Sequence, residues 1–150
     1  MLSKKAKYAI KALVFIAKNI EKQPIPVSKI AVEENIPLKF LESILTELKN
    51  VRILNSKKGK NGGYSLNESP DEIHMAKIIR LFDGAIALLP CATYKFYERC
   101  DECHDEQTCG IRNIAIEIRN ETVKKLKKAT LSEIIQRENK LKQQGNNENN

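Results

Sequence analysis

All four cysteines of this 150-residue chain fall in one stretch, CATYKFYERCDECHDEQTCG, residues 91–110. Cys91, Cys100, Cys103 and Cys109 are separated by eight, two and five residues, with Asp and Glu among them. Thiolates hold the iron of iron–sulfur clusters, and four of them also close a tetrahedral zinc site. The spacings follow neither a common ferredoxin pattern nor the paired CxxC of zinc ribbons, so loop chemistry alone leaves a cluster, zinc and reduced thiols open. His104, Lys95 and Arg99 read as exposed loop surface. The CDEC run, residues 100–103, raises a dithiol redox enzyme as a further class, but such a motif belongs between a strand and a helix of a βαβ unit. Here it sits in an acidic loop. With no Ser-His-Asp set, phosphate loop or paired buried carboxylates, the chain does not read as an enzyme.

A chain of this length folds as one domain and buries about 68–70% of the surface its unfolded form exposes. Hydrophobic residues make up 41% of it and there is no Trp. The N-terminal run AIKALVFIA is interrupted by Lys11, and no small-residue cleavage site follows. It reads as neither signal peptide nor membrane span. The expected compartment is the cytoplasm, where thiols stay reduced and a tight cluster of them points to metal or redox chemistry. Charge is uneven. Residues 1–66 carry 13 Lys and Arg against 5 Asp and Glu, while residues 67–110 carry 4 against 9. A basic front segment suits a polyanion, because neutralised phosphates release counterions. A solvated lysine-rich face is the alternative that charge by itself leaves open.

The elements that would position these groups are mostly helical. Residues 3–19 form a helix capped by Ser3, apolar on more than one face and therefore central. A short helix over 28–34 turns Val27, Ile30 and Ala31 inward. Asn35 suits the tight turn after it, and Pro37 opens the next helix. There Leu41, Ile44, Leu45 and Leu48 form a buried stripe, which leaves Lys39, Phe40, Glu42, Ser43 and Thr46 outside. Two helices joined in this way make a helix-turn-helix. VRILNSKKGKNGGYSLNE, residues 51–68, then places β-type residues on both sides of a glycine-rich turn carrying Lys57, Lys58 and Lys60, which is a hairpin signal. The fold class is mainly α with a small β wing, a winged helix-turn-helix.

Farther on, residues 73–74 are expected to add a third strand, residues 75–82 a helix, and His74 no functional role. Ile111, Ile114, Ile118 and Val123 or Leu126 mark a long amphipathic helix to residue 128. TLSE, residues 130–133, is a capping box with Glu133 reaching back to Thr130. The organisation expected is a DNA-binding region over 1–68, a connecting helix and cysteine loop over 69–110, a dimerisation helix and return helix over 111–138, and a disordered tail over 139–150. The long apolar stripe is read as a surface for a second copy of the chain, with packing back on its own domain as the alternative, and a two-fold dimer sets two recognition helices about one DNA turn apart.

LSKKAKYAIKALVFIA, VSKIAVEENIPLKFLESILTELKNVRIL and GKNGGYSL together resemble the bacterial iron–sulfur cluster regulator (IscR, or Rrf) family, over about residues 1–136. The resemblance implies a homodimeric transcription factor, usually a repressor, on double-stranded DNA with a pseudo-palindromic operator. It implies that Pro37, Lys39, Phe40 and Glu42 at the front of the recognition helix and Lys58 in the wing stand at base- or backbone-contacting places, Pro37 without a side-chain donor. Ser43, Lys57 and Lys60, on the same outer face and wing, complete the expected DNA-binding set. Glu42 suits a cytosine amino group, Phe40 a thymine methyl, and the lysines phosphates or guanine. It also implies a [2Fe–2S] or [4Fe–4S] cluster on the cysteine loop. Cys103 and Cys109 match the family's spacing. Tyr97 stands where its earlier cysteine falls, and Arg112 and Lys7 stand where some members carry other ligands. The ligand set expected is therefore Cys91, Cys100, Cys103 and Cys109, with a structural zinc site or redox-active thiols as the alternatives.

Overall fold

A computed structural model describes residues 2–148. Six helices and one hairpin follow in order: α1 (Lys4–Lys18), α2 (Val27–Glu34), α3 (Leu38–Asn50), β1 (Leu54–Lys57), β2 (Gly63–Leu66), α4 (Met75–Phe82), α5 (Gly110–Lys128) and α6 (Leu131–Glu148). Short 3-10 turns lie at Ile20–Lys22 and Pro90–Ala92. Among the described residues, no helix is long and apolar enough to cross a membrane.

The Ser3 hydroxyl accepts from the Ala6 N–H and caps α1. Ser3 also binds the Asp83 carboxylate through its backbone N–H and its hydroxyl, joining the start of α1 to the end of α4. Ala6, Ala9, Ala12, Leu13 and Ile16 have no exposed surface. The small alanine side chains let α2, α3, α4 and α6 all pack on α1, so the first helix is the centre of the core, as its apolar residues on several faces imply. The α3 stripe of Leu41, Ile44, Leu45 and Leu48 is wholly buried.

The hairpin is antiparallel, pairing Leu54 with Leu66 and Lys57 with Gly63. It is tied to the body through Ile25 and Tyr64, whose backbone groups exchange hydrogen bonds of 2.8 and 2.9 Å. Gln23 accepts from the Leu66 N–H at 3.0 Å and donates to the Ile16 carbonyl at 3.2 Å, bridging wing and α1.

Three expectations are corrected. Residues 73–74 add no strand to the hairpin: His74 forms an isolated bridge with Thr130, and Ile25 takes the place beside β2. His74 instead caps α4, its Nδ1 accepting from the Lys77 N–H at 3.2 Å. Burial, followed by the charges of Lys77, Lys127 and Arg80, holds its pKa below 6.5 and keeps the ring an acceptor. Thr130 does cap α6 by accepting from the Glu133 N–H. The Glu133 carboxylate, however, turns forward to Arg137 at 2.7 Å instead of back to the cap, because an i, i+4 guanidinium offers it a charged partner. Finally, α6 continues through residues 139–148, read from the sequence as disordered. Its Lys, Leu and Gln residues propagate a helix already nucleated by the cap. Asn149 and Asn150 lie outside the described residues.

Wing docking depends on Gly63. It has φ +152°, and a Cβ there would lie 2.3 Å from the carbonyl carbon and oxygen of Ile25. Gly59 at the wing tip has φ +106° with nothing within 4 Å. Gly63→Ala is therefore expected to cost more stability in urea unfolding than Gly59→Ala. Gly59→Ala carries backbone strain alone, on the order of 1–3 kcal/mol, and equal losses would show that the wing is not held at Ile25.

Candidate nucleic-acid interface and cysteine loop

The surface expected to read DNA is built by the turn between α2 and α3. Asn35 takes the left-handed conformation, φ 51° and ψ 54°, which a side-chain amide tolerates, and its N–H returns to the carbonyls at the end of α2. The next residue, Ile36, is buried and donates to the Ala31 carbonyl at 2.9 Å. From α1, Lys11 reaches both the Glu34 carbonyl, at 2.7 Å, and the Glu34 carboxylate, at 3.2 Å. The end of α2 is thereby fastened to the central helix and the direction in which α3 leaves is set.

With its leucine and isoleucine stripe buried, α3 presents Lys39, Glu42 and Ser43 to solvent. Phe40 is held differently. Its ring meets Tyr8 edge-on, with centroids 5.8 Å apart, and keeps 36% of its surface exposed. It therefore keeps part of a ring braced on one side by Tyr8 to offer a partner. Lys57, Lys58 and Lys60 are all exposed on the wing. Between wing and α2 lies a cleft of about 380 Å³ whose rim includes Lys49, Lys57 and Lys58. Exposed cations beside an exposed helix face make a surface that attracts phosphates.

The cysteines lie in the segment between α4 and α5. Cys91 is buried in the Pro90–Ala92 turn, which packs on α5, and the other three are partly exposed. Cys109 is the N-cap of α5, its sulfur accepting from the Arg112 N–H at 3.5 Å. That hydrogen bond lowers the Cys109 pKa against the effect of burial, helped by hydrogen bonds from the Cys103 thiol and the Ile111 N–H and by the Arg112 charge. Cys103 is shifted the opposite way. Burial raises its pKa first, then its hydrogen bond to Cys109, then the charges of Cys109 and Cys100. Of the two sulfurs, Cys109 is thus the one whose ionisation is favoured, as expected for a sulfur at a helix N-terminus.

Of the four expected ligands the structure thus joins Cys103 and Cys109, with Cys100 near enough for its charge to act on Cys103. Among the described residues, no three His, Cys, Asp or Glu side chains are close enough together to hold a metal ion. The donor chemistry fits a thiolate-bound group, since Cys109 has its ionisation favoured and the Cys103 thiol is hydrogen-bonded to it. The loop also carries an unmet acceptor: Glu106 Oε1 is buried without a hydrogen-bond partner, while Oε2 accepts from Tyr97 at 2.5 Å.

Two arginines escaped the sequence reading. Arg112, which stands there only where some relatives carry a ligand, donates to the Cys91 carbonyl at 3.1 Å and ties the buried turn to the first turn of α5. Arg119 is 7% exposed and donates to the Ala92 carbonyl. The signal for it was its place four residues after Ala115, the other buried residue of α5.

A family model described as Rrf2, iron-dependent transcriptional regulator, matches residues 2–137. An rrf2-like HTH-type transcriptional regulator of Rhodobacter capsulatus is 38% identical over 121 residues, covering 79% of this chain and 81% of that one. The HTH-type transcriptional regulator IscR of Aliivibrio salmonicida is 30% identical over 90 residues, covering 60% of this chain and 54% of that one. Among solved structures, CymR, the global cysteine regulator of B. subtilis, superposes with a TM-score of 0.73 at 26% identity, covering 89% of this chain and 95% of that one. The IscR of T. potens shares the fold, with a TM-score of 0.71 at 19% identity over 91% of this chain and 86% of that one.

The thiol pair makes a direct prediction. In reduced, metal-free protein, alkylation by iodoacetamide followed peptide by peptide is expected to give Cys109 an apparent pKa below the ordinary 9.0 and Cys103 one above it. The reverse order would remove the pair.

Proposed function

The chain belongs to the Rrf2 family of iron-dependent transcriptional regulators, and from that membership we propose that it acts as a cytoplasmic homodimeric repressor. Its operator is a pseudo-palindrome in double-stranded DNA. Lys39, Phe40, Glu42 and Ser43 read the major groove, and Lys57, Lys58 and Lys60 hold the phosphates. Residues 1–68 bind DNA, residues 69–110 sense and residues 111–138 dimerise. Family membership itself makes this a transcriptional regulator and not an enzyme.

The observation that carries the sensing role is the position of Cys109. One sulfur both caps α5 and pairs with Cys103, so whatever engages that sulfur acts on the first turn of the long helix. On the outer side of the same helix, Ile111, Ile114 and Ile118 are 73, 59 and 44% exposed. A stripe of that kind fits the seam of a dimer. Cys91, Cys100, Cys103 and Cys109 are the residues that would hold an iron–sulfur cluster. A bound cluster supplies iron–thiolate bonds that oxidation, nitric oxide or iron shortage breaks. The chain's own part is mechanical. Arg112 keeps the Cys91 turn on α5, and a difference in loop order between two states gives the differential binding that any switch requires.

Two measurements test this reading. Protein purified without oxygen is expected to be brown with thiolate-bound iron; a colourless protein with stoichiometric zinc contradicts the cluster. In gel shifts across a salt series, Lys58→Ala with Lys60→Ala is expected to reduce the slope of log affinity against log salt by about 2, roughly one for each phosphate no longer neutralised. An unchanged slope would take the wing off the DNA.

A further inference from the structure

Beside the cysteine loop, α4, the segment after it and α5 enclose a cleft of about 410 Å³. Its walls carry three cations, Arg80, Lys95 and Arg119, together with the rings of Tyr94 and Phe96 and the hydroxyl of Thr93. Among the described residues, no Asp or Glu lines it.

Two groups in these walls have unmet demands. The buried Arg119 guanidinium has only neutral acceptors, the Ala92 carbonyl and the Asn120 side-chain oxygen at 2.8 and 3.1 Å. The Tyr94 ring lies over it at 3.9 Å, and no carboxylate pairs with it among the described residues. A buried cation without a counter-ion is costly. Thr93 Oγ1 is buried with no hydrogen-bond partner, an exception that native structures rarely leave unexplained. Both residues line one cavity. A carboxylate meets both demands at once, taking a hydrogen bond from the Thr93 hydroxyl and the charge of the cations. The flanking rings suit a flat, apolar body attached to it. An inorganic anion would leave those rings unused.

We propose that this cleft binds a small organic carboxylate with a planar apolar body. Thr93–Phe96 belong to the cysteine-loop segment and Arg119 to α5, so an occupant joins the loop to the long helix at a second place, away from the sulfurs. The site stands on its own geometry and is testable whether or not a cluster or DNA binds.

The test uses the full-length, reduced, ¹⁵N-labelled chain titrated with benzoate and, in parallel, with benzamide as its uncharged counterpart. Benzoate is expected to shift the Thr93 and Phe96 amides saturably, one per chain, with benzamide at least about tenfold weaker. Thr93→Val and Lys95→Gln, each with an unchanged melting temperature, are expected to weaken benzoate by about tenfold. No saturable shift up to about 10 mM, well above the millimolar range of a weak site, overturns the proposal. So does equal binding of benzamide, or saturation whose shifts map elsewhere on the chain.

Discussion

The structure depends on how α5 is turned. Its buried residues are Ala115 and Arg119, while the isoleucines at 111, 114 and 118 face outward. Water does not favour that arrangement. Burying an Ile side chain is worth roughly 1.5–3 kcal/mol, so a bare stripe of three asks for a matching apolar surface. The inward face is equally constrained. Arg119 is held by the Ala92 carbonyl and by Tyr94, and Arg112 by the Cys91 carbonyl. The helix is thus fastened to the cysteine-bearing segment on one side and left apolar on the other. The proposed sensor and the proposed seam would then be two faces of one helix.

The helix-turn-helix region is braced separately. Its α1 is lined with alanines, which let the neighbouring helices approach closely. Lys11 anchors the end of α2, and the exchange between Ile25 and Tyr64 anchors the wing. A change at α5 is therefore expected to move whole reading heads relative to one another and not to reshape each head. Ser3 bound to Asp83 links the end of α4, which packs on α5, directly to the start of α1.

Much of the fold was legible because its signals are local. The Ser3 cap, the Asn35 turn, the α3 stripe and the lysine-tipped hairpin each depend on a few neighbouring residues with strong backbone or burial preferences. What was missed depends on which of several partners wins, near or far in sequence. Residues 73–74 read as a strand, but their bridge lies with Thr130. Glu133 fitted a capping box until Arg137 competed for it. The tail lacked anything to bury, yet helix propagation needs no burial. At the sulfurs, sequence supplied the four candidates but not their pairing, since a helix N-terminus selects Cys109 and only the folded loop brings Cys103 against it. Arg119 was hidden because a buried arginine is uncommon and its acceptor is a main-chain carbonyl.

In the proposed function the exposed isoleucine face of α5 is the link between sensing and DNA binding, with a second copy of the chain covering it. Sedimentation equilibrium of the parent chain and of Ile114→Lys, each with and without operator-length duplex DNA, measures this directly. A dimeric parent, and a folded variant that is monomeric and no longer holds the duplex as a pair, are the expected results. A parent that stays monomeric at micromolar concentration, or a variant that remains dimeric, would contradict the dimer seam.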